Sequence, residues 1–139
     1  IFVRGNGGYR AGIHMKAYQE KVPVIIVGGE TGCFLGEYQA GGLIVVLSLH
    51  TDGRPVVGYF PCTGMHGGKM VFRGDVSNIP FPPQVTSRPA TEEDMAEFAP
   101  YVREYCRLFH LDPEQLLRDA YTVITPDSKN PYQQMYVAN

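Results

Sequence analysis

Val27-Gly28-Gly29-x-x-Gly32-x-x-x-Gly36 echoes the earlier stretch Val3-Arg4-Gly5-x-x-Gly8-x-x-x-Gly12, and a looser third copy runs from Leu43 to Gly58. Four short apolar runs, Ile1-Phe2-Val3, Val24-Ile25-Ile26-Val27, Leu43-Ile44-Val45-Val46-Leu47 and Met70-Val71-Phe72, recur every 20 to 26 residues between these glycine-rich turns. A repeat of that length marks units that bury their apolar faces by stacking on one another. The spacing predicts a mainly β chain whose residues 1–78 form a coil-by-coil solenoid. Aligning the runs puts Ile1, Val24, Ile44 and Met70 in one column and Val3, Ile26, Val46 and Phe72 in another, both on one face by the period of two. The opposite face carries Arg4 and Arg73 at its outer rungs and is assigned outward. Its central residues Ile25, Val27, Val45 and Leu47 would then form an adhesive strip, which makes them interface candidates.

Glycines supply the corners. Gly5, Gly28 and Gly74 follow their strands, where a corner requires a backbone conformation that other residues reach only at a cost. Gly41-Gly42 and Gly67-Gly68 come directly before strands, a second corner, and Gly8, Gly12, Gly32 and Gly36 complete the set of structural turns. Ser48 breaks the glycine column. Leu49 to Pro55 after it reads as an inserted hairpin or loop with an Asp52-Gly53 tip. The longer segment from Ile13 to Val22 has room for a short helix.

Pro80, Pro82, Pro83 and Pro89 make residues 79–90 an extended linker. Residues 91–139 then form a small helical extension. Thr91-Glu92-Glu93-Asp94 supplies a cap and three acidic groups at a helix N-terminus, and Pro100 predicts a break, with a short helix over 92–98 and a longer one from about 100 to 109. Asp112-Pro113-Glu114-Gln115 starts another helix, ending near Ala120. Tyr121-Thr122-Val123-Ile124 reads as a last strand before a tail.

The 139 residues fit one domain with a satellite. Twelve basic and fourteen acidic side chains leave a net charge of -2, which gives no general attraction to nucleic acid or to a membrane surface. Residues 1–88 carry eight Lys/Arg against five Asp/Glu, and residues 89–139 carry four against nine, so the two parts have opposite sign. Cys33, Cys62 and Cys106 form no paired motif, and no run is long enough to span a bilayer. The expectation is a soluble, cytoplasmic protein. The chain opens inside an apolar run without Met, so upstream residues and part of the repeat array are expected to precede it.

The glycine turns with valine-rich strands, including Gly41-Gly42-Leu43-Ile44-Val45-Val46 and Gly64-Met65-His66-Gly67-Gly68-Lys69-Met70-Val71-Phe72-Arg73-Gly74, resemble the GXGXG repeat domain of the glutamate synthase large subunit over about residues 1–75. The repeat also resembles one found in formylmethanofuran dehydrogenase. The resemblance implies a right-handed parallel β-helix, a single-stranded solenoid, that contributes no catalytic side chain. It implies a stand-alone scaffold whose partners are the glutaminase and FMN/iron–sulfur synthase subunits. Flavin and cluster would be held by those partners, with no cofactor on this chain. A homo-oligomer built on the open first strand is the other expected partnership.

Chemical motifs are sparse. The stretch Val24 to Gly32 lacks the second glycine of a dinucleotide fingerprint, because Glu30 stands there. In Gly64 to Met70, Met70 replaces the Ser/Thr of a phosphate loop. His14 and His66 each follow a Gly-apolar pair, 52 residues apart, and in-register stacking would bring them together as candidate metal ligands, with Cys33 or Cys62 as a further donor. The alternative is that both are corner residues. A small-molecule- or metal-binding β-helix, or a component of a formylmethanofuran dehydrogenase-like enzyme, is accordingly the rival to the scaffold. Glu30 and Glu37 make a conceivable acid–base pair, although turn carboxylates are commonly solvated. Arg4, Arg10, Arg54 and Arg73 are candidates for an anion groove, and Tyr9, Tyr18, Tyr38 and Tyr59 read as turn-packing aromatics.

Overall fold

A computed structural model of the chain describes residues 1–49 and 55–127. The elements run β1 (Phe2–Val3), β2 (Val24–Val27), β3 (Ala40–Val46), β4 (Gly67–Arg73), β5 (Val85–Pro89), α1 (Glu92–Phe109), α2 (Pro113–Leu117) and β6 (Tyr121–Pro126). The four apolar runs all become strands, as β-branched and aromatic side chains favour on a covered pleated surface. Successive strands among β1 to β4 pair in parallel.

The expected right-handed parallel β-helix is not the fold. β6 lies antiparallel on β4, and β5 lies antiparallel on β6, so the sheet is mixed, with six strands in the order β1-β2-β3-β4-β6-β5. With α1 and α2 the chain is mixed α/β. The cause lies after β4, where a run of prolines cannot donate to a further ladder. The edge of β4 is taken instead by the returning β6, with Met70 opposite Ile124 and the Thr122 hydroxyl donating to the Gly74 carbonyl at 2.8 Å. Residues 85–89, expected as linker, form β5 at the sheet edge, where Pro89 costs no ladder bond.

The helix expected to break at Pro100 is continuous from Glu92 to Phe109. Pro100 sits on its exposed side, while Phe98, Val102, Tyr105 and Cys106 are buried against the sheet; that burial outweighs the lost backbone bond. Its N-terminus has the capping box Thr91/Asp94, and His110 closes the other end with φ +60°. α2 begins on Asp112 as expected and stops at Leu117, short of Ala120.

Two cores sit on opposite faces of the sheet. One packs Ile26, Leu43, Val45, Leu47 and Val71 beneath α1. The other packs Ile44, Val46, Met70 and Phe72 beneath the turns, with Leu35, Cys62 and Met65. The outward strip of Ile25, Val27, Val45 and Leu47 is therefore corrected on two counts. β2 pairs with β3 as Ile25 with Ile44 and Ile26 with Val45, one residue away from the expected alignment, and a one-residue slip exchanges faces. Ile25 and Val27 lie on the turn side, near where a Cβ on Gly12 or Gly7 would sit, and Val45 and Leu47 lie under α1. Val27, Val45 and Leu47 are buried, and the chain's own elements cover both sets.

The turns stack as regularly as the strands. Arg10 N donates to Cys33 O, Gly36 N to Ala11 O and His14 N to Glu37 O, and one repeat later Phe34 N donates to Tyr59 O, Cys62 N to Leu35 O and Tyr38 N to Thr63 O. Three residues per repeat have positive φ: Arg10, Gly12 and His14, then Phe34, Gly36 and Tyr38, then Phe60, Cys62 and Gly64. At the middle position, which Cys62 fills in the third repeat, Gly36 is required by its own surroundings. Its φ is +66°, and a Cβ there would press on the Met70 methyl.

The segment 13–22 holds no helix. Tyr18 and Lys21 exchange backbone hydrogen bonds across Gln19 and Glu20, and Gln19 has φ +55°. A long side chain in that conformation costs about 1–2 kcal/mol. Gln19→Gly should therefore stabilise the protein by about 0.5–1 kcal/mol after the unfolded-chain entropy is subtracted, measured as a higher urea midpoint with an unchanged slope.

Candidate functional surface

The positive-φ residues build two aromatic columns at the turn corner. In the first, Phe34 packs at a tilt against Phe60 with ring centroids 5.3 Å apart and meets the edge of Tyr9 at 6.0 Å. Arg10 lies over both Tyr9 and Phe34, its guanidinium carbon 5.2 and 4.9 Å from the ring centres, and pairs with Glu37 at 2.8 Å. In the second column His14 stacks on Tyr38 at 5.1 Å, and the Tyr38 ring covers Gly64. Tyr59, Tyr9 and Phe60 are 76%, 64% and 61% exposed, so the corner presents a ridge of rings to solvent.

His14 and His66 are not brought together. The backbone bonds put His14 level with Tyr38 and Tyr38 level with Gly64, so the spacing of 52 overshoots the register by two residues. His66 Nδ1 instead lies 3.1 Å from the Gly64 carbonyl. Among the described residues no three His, Cys, Asp or Glu side chains cluster to hold a metal. Glu37 is held by Arg10, and the backbone of Glu30 is tied to the Asn6 side chain at 2.9 Å while Glu30 borders a cleft. Arg73 bonds to Asp119 and the Leu47 carbonyl, away from the Arg10 corner. Arg4 offers its carbonyl to the Tyr105 hydroxyl at 2.7 Å, and Arg54 lies outside the described residues, as does most of the insertion at 49–55. No shared anion groove forms from the three described arginines.

The expected glycine corners divide. Gly12, Gly36, Gly42, Gly68 and Gly74 have positive φ. Gly5 and Gly8 have open space where a Cβ would stand. Gly28, Gly32, Gly41 and Gly67 have close backbone or side-chain neighbours there: Gly28 lies under the Tyr105 hydroxyl where it reaches the Arg4 carbonyl, so its role is to admit α1 rather than to turn the chain.

Cys62 is buried beside Met70, its sulfur 3.4 Å from the thioether, and burial pushes its thiol up to about 12. Burial raises Cys106 as well. Cys62 and Cys106 belong to different cores, so the cysteines do not fit a shared cluster site. Thiolate is the reactive form, so a thiol reagent at pH near 8 should titrate one cysteine, the half-buried Cys33, in the folded protein and all three after denaturation.

Sequence reasoning missed the ion cluster at the start of α1. Asp94, buried at 5% exposure, receives both Arg88 guanidinium nitrogens, the Thr91 backbone and hydroxyl, and Lys69 Nζ at 3.3 Å. Arg88 first, then Thr91 and Lys69, hold its carboxyl far below the usual range. The capping signal in Thr91-Glu92-Glu93-Asp94 was legible, but nothing local links it to Lys69 or Arg88.

Together, the stacked glycine turns and the ringed corner define a repeat protein whose recurring geometry packs one turn against the next. The chain belongs to the GXGXG motif family, the domain found in the glutamate synthase large subunit; the match runs over residues 1–128. It is 42% identical over 135 residues to an uncharacterized protein of Methanocaldococcus jannaschii, covering 93% of this chain and 52% of that relative. The chain thus spans about half the length of the curated relative it matches. No described helix is long and apolar enough to cross a membrane.

Proposed function

We infer that this chain is a non-catalytic structural component of a glutamate synthase-like assembly. Glutaminase and FMN/iron–sulfur subunits carry the chemistry, and flavin and cluster reside on them. The observation supporting this reading is the solvent-facing ridge of Tyr9, Tyr59 and Phe60 on a stack in which Arg10 is held by Glu37. Exposed, rigid aromatics are the residues that anchor protein interfaces. The docking face is this ridge, because the strip first expected to serve is covered by the chain itself. The assembly is cytoplasmic and involves neither nucleic acid nor lipid.

Size exclusion with light scattering on the chain mixed with purified glutaminase and synthase subunits tests the reading. Co-elution with at least one of them is expected, with affinity reduced at least about tenfold by Tyr59→Ser combined with Phe60→Ser. A chain that elutes alone, or as its own oligomer, argues against it.

A further inference from the structure

We propose that the open side of the first coil, residues 1–14, captures an acidic β segment of a partner polypeptide that carries this same glycine turn, laid parallel on β1. The template is the chain's own stacking. Gly29, Gly32 and Gly36 N donate back to the Gly5, Gly8 and Ala11 carbonyls, while Gly7, Arg10 and His14 N donate forward to Glu30, Cys33 and Glu37. The second turn meets the third in the same way, with Thr31, Phe34 and Tyr38 N donating forward and Gly58 and Cys62 N donating back. Carried back one repeat, the pattern makes Gly5, Gly8 and Gly12 N donors, and the Asn6, Tyr9 and Ile13 carbonyls acceptors, toward an added coil. None of the six has a backbone partner among the described residues, and β1 is the edge of the sheet. Such a row is a template for a further strand.

Gly5 and Gly8 are a separate sign that backbone belongs there. Their equivalents have no room for a side chain: a Cβ on Gly32 would stand 3.0 Å from the backbone of Gly8 and Tyr9, and one on Gly29 would strike the Asn6 side chain. At Gly5 and Gly8 nothing lies within 4 Å, and neither has a positive φ. Nothing in the chain's own fold requires glycine at these two positions, where it costs conformational entropy. An overlying coil would require it. The occupant's sign follows from charge, since residues 1–22 hold four Lys/Arg against one Glu, and only Arg10 of the four is ion-paired among the described residues. A second copy does not fit in parallel, because the matching edge of its β4 is taken by β6.

This surface stands apart from the docking ridge, whose Tyr59 and Phe60 lie on the third turn. The probe is a peptide copying residues 24–38 with Cys33→Ser, which holds strand, turn, two Glu and no Lys or Arg. Amide hydrogen exchange of the whole chain reads its capture. In the chain alone Gly5, Gly8 and Gly12 should exchange fast and Gly29, Gly32 and Gly36 slowly; the peptide should protect the first three saturably at about millimolar concentration. Gly5→Ala combined with Gly8→Ala should leave the melting temperature of the free chain unchanged or higher and weaken capture at least about tenfold. Glu30→Lys with Glu37→Lys in the peptide should weaken it about threefold. Tyr59→Ser combined with Phe60→Ser should leave it unchanged. The proposal is overturned if the peptide gives no saturable protection, if the alanine pair captures it like the parent chain, if the charge-reversed peptide binds as well, or if the ridge variant loses capture. Protection of the same three amides in the chain alone, rising with its concentration, would make the occupant a second copy and overturn it equally.

Discussion

Asp94→Ala should cost the protein about 3 kcal/mol, read as a fall in the urea midpoint at neutral pH. Two losses combine. The Asp94 half of the capping box disappears, the bonds its carboxylate accepts from the Thr91 backbone and hydroxyl, while the Thr91 hydroxyl still accepts from the backbone N–H of residue 94. Arg88 and Lys69 also lose the carboxylate they share, and breaking a buried ion pair from one side costs about 3–5 kcal/mol. The lower figure applies because both cations are partly exposed and can rehydrate, and Lys69 keeps Glu97 at 2.6 Å. The cluster joins β4, β5 and α1 at one point, so the loss should appear as one cooperative transition at lower denaturant. Asp94→Asn keeps an oxygen for the cap and should lose less.

The same carboxyl predicts a pH dependence. Its folded-state pKa lies below the unfolded value of about 3.9, so the unfolded chain takes up the proton first. The stabilisation is complete above about pH 5 and is lost as pH falls from there through the folded-state pKa. Urea midpoints of the parent chain should therefore drop steeply below about pH 4. Those of Asp94→Asn should start lower and drop less. Parallel curves for the two proteins would show that other carboxyls carry the acid sensitivity.

The strands were legible because four runs of Val, Ile and Phe between glycines leave few other options. Their register was less so. The glycine motif itself holds the observed alignment, since Gly5 pairs with Gly29 and Gly8 with Gly32, whereas lining up the starts of the apolar runs displaced β2 by one residue and reversed its faces. β5 was hidden by prolines that only an edge strand tolerates, and β6 was visible as a strand but not as the partner of β4. Pairing across 48 or more residues, as from Arg73 to Tyr121, leaves no local trace. At the turn corner, Arg10, Phe34 and Phe60 adopt a conformation usually left to glycine, so composition gave no warning of the aromatic columns. The closeness of His14 and His66 failed for a countable reason: their separation does not equal two repeats.

Val102→Asp should have the largest effect of any single change, because it tests what covers the sheet. Val102 is fully buried on the face of α1 that meets Val45, Leu47 and Val71. A carboxylate there has no described cation within the apolar core to pair with, and burying it would cost more than about 4 kcal/mol. The protein avoids that cost by releasing α1. Release removes the Tyr105 hydroxyl from the Arg4 carbonyl and Phe98 from Tyr121, whose rings lie 4.9 Å apart. It exposes the apolar rows of β2, β3 and β4 beneath, and a patch of that kind drives association. The expected outcome is a loss of α-helical circular dichroism, binding of a hydrophobic dye and elution as aggregate. Val102→Ala should lose only about 1–3 kcal/mol and stay monodisperse. If Val102→Asp instead keeps its helix signal and binds no dye, the helix is not what covers the strip, and an interface role for Val45 and Leu47 returns.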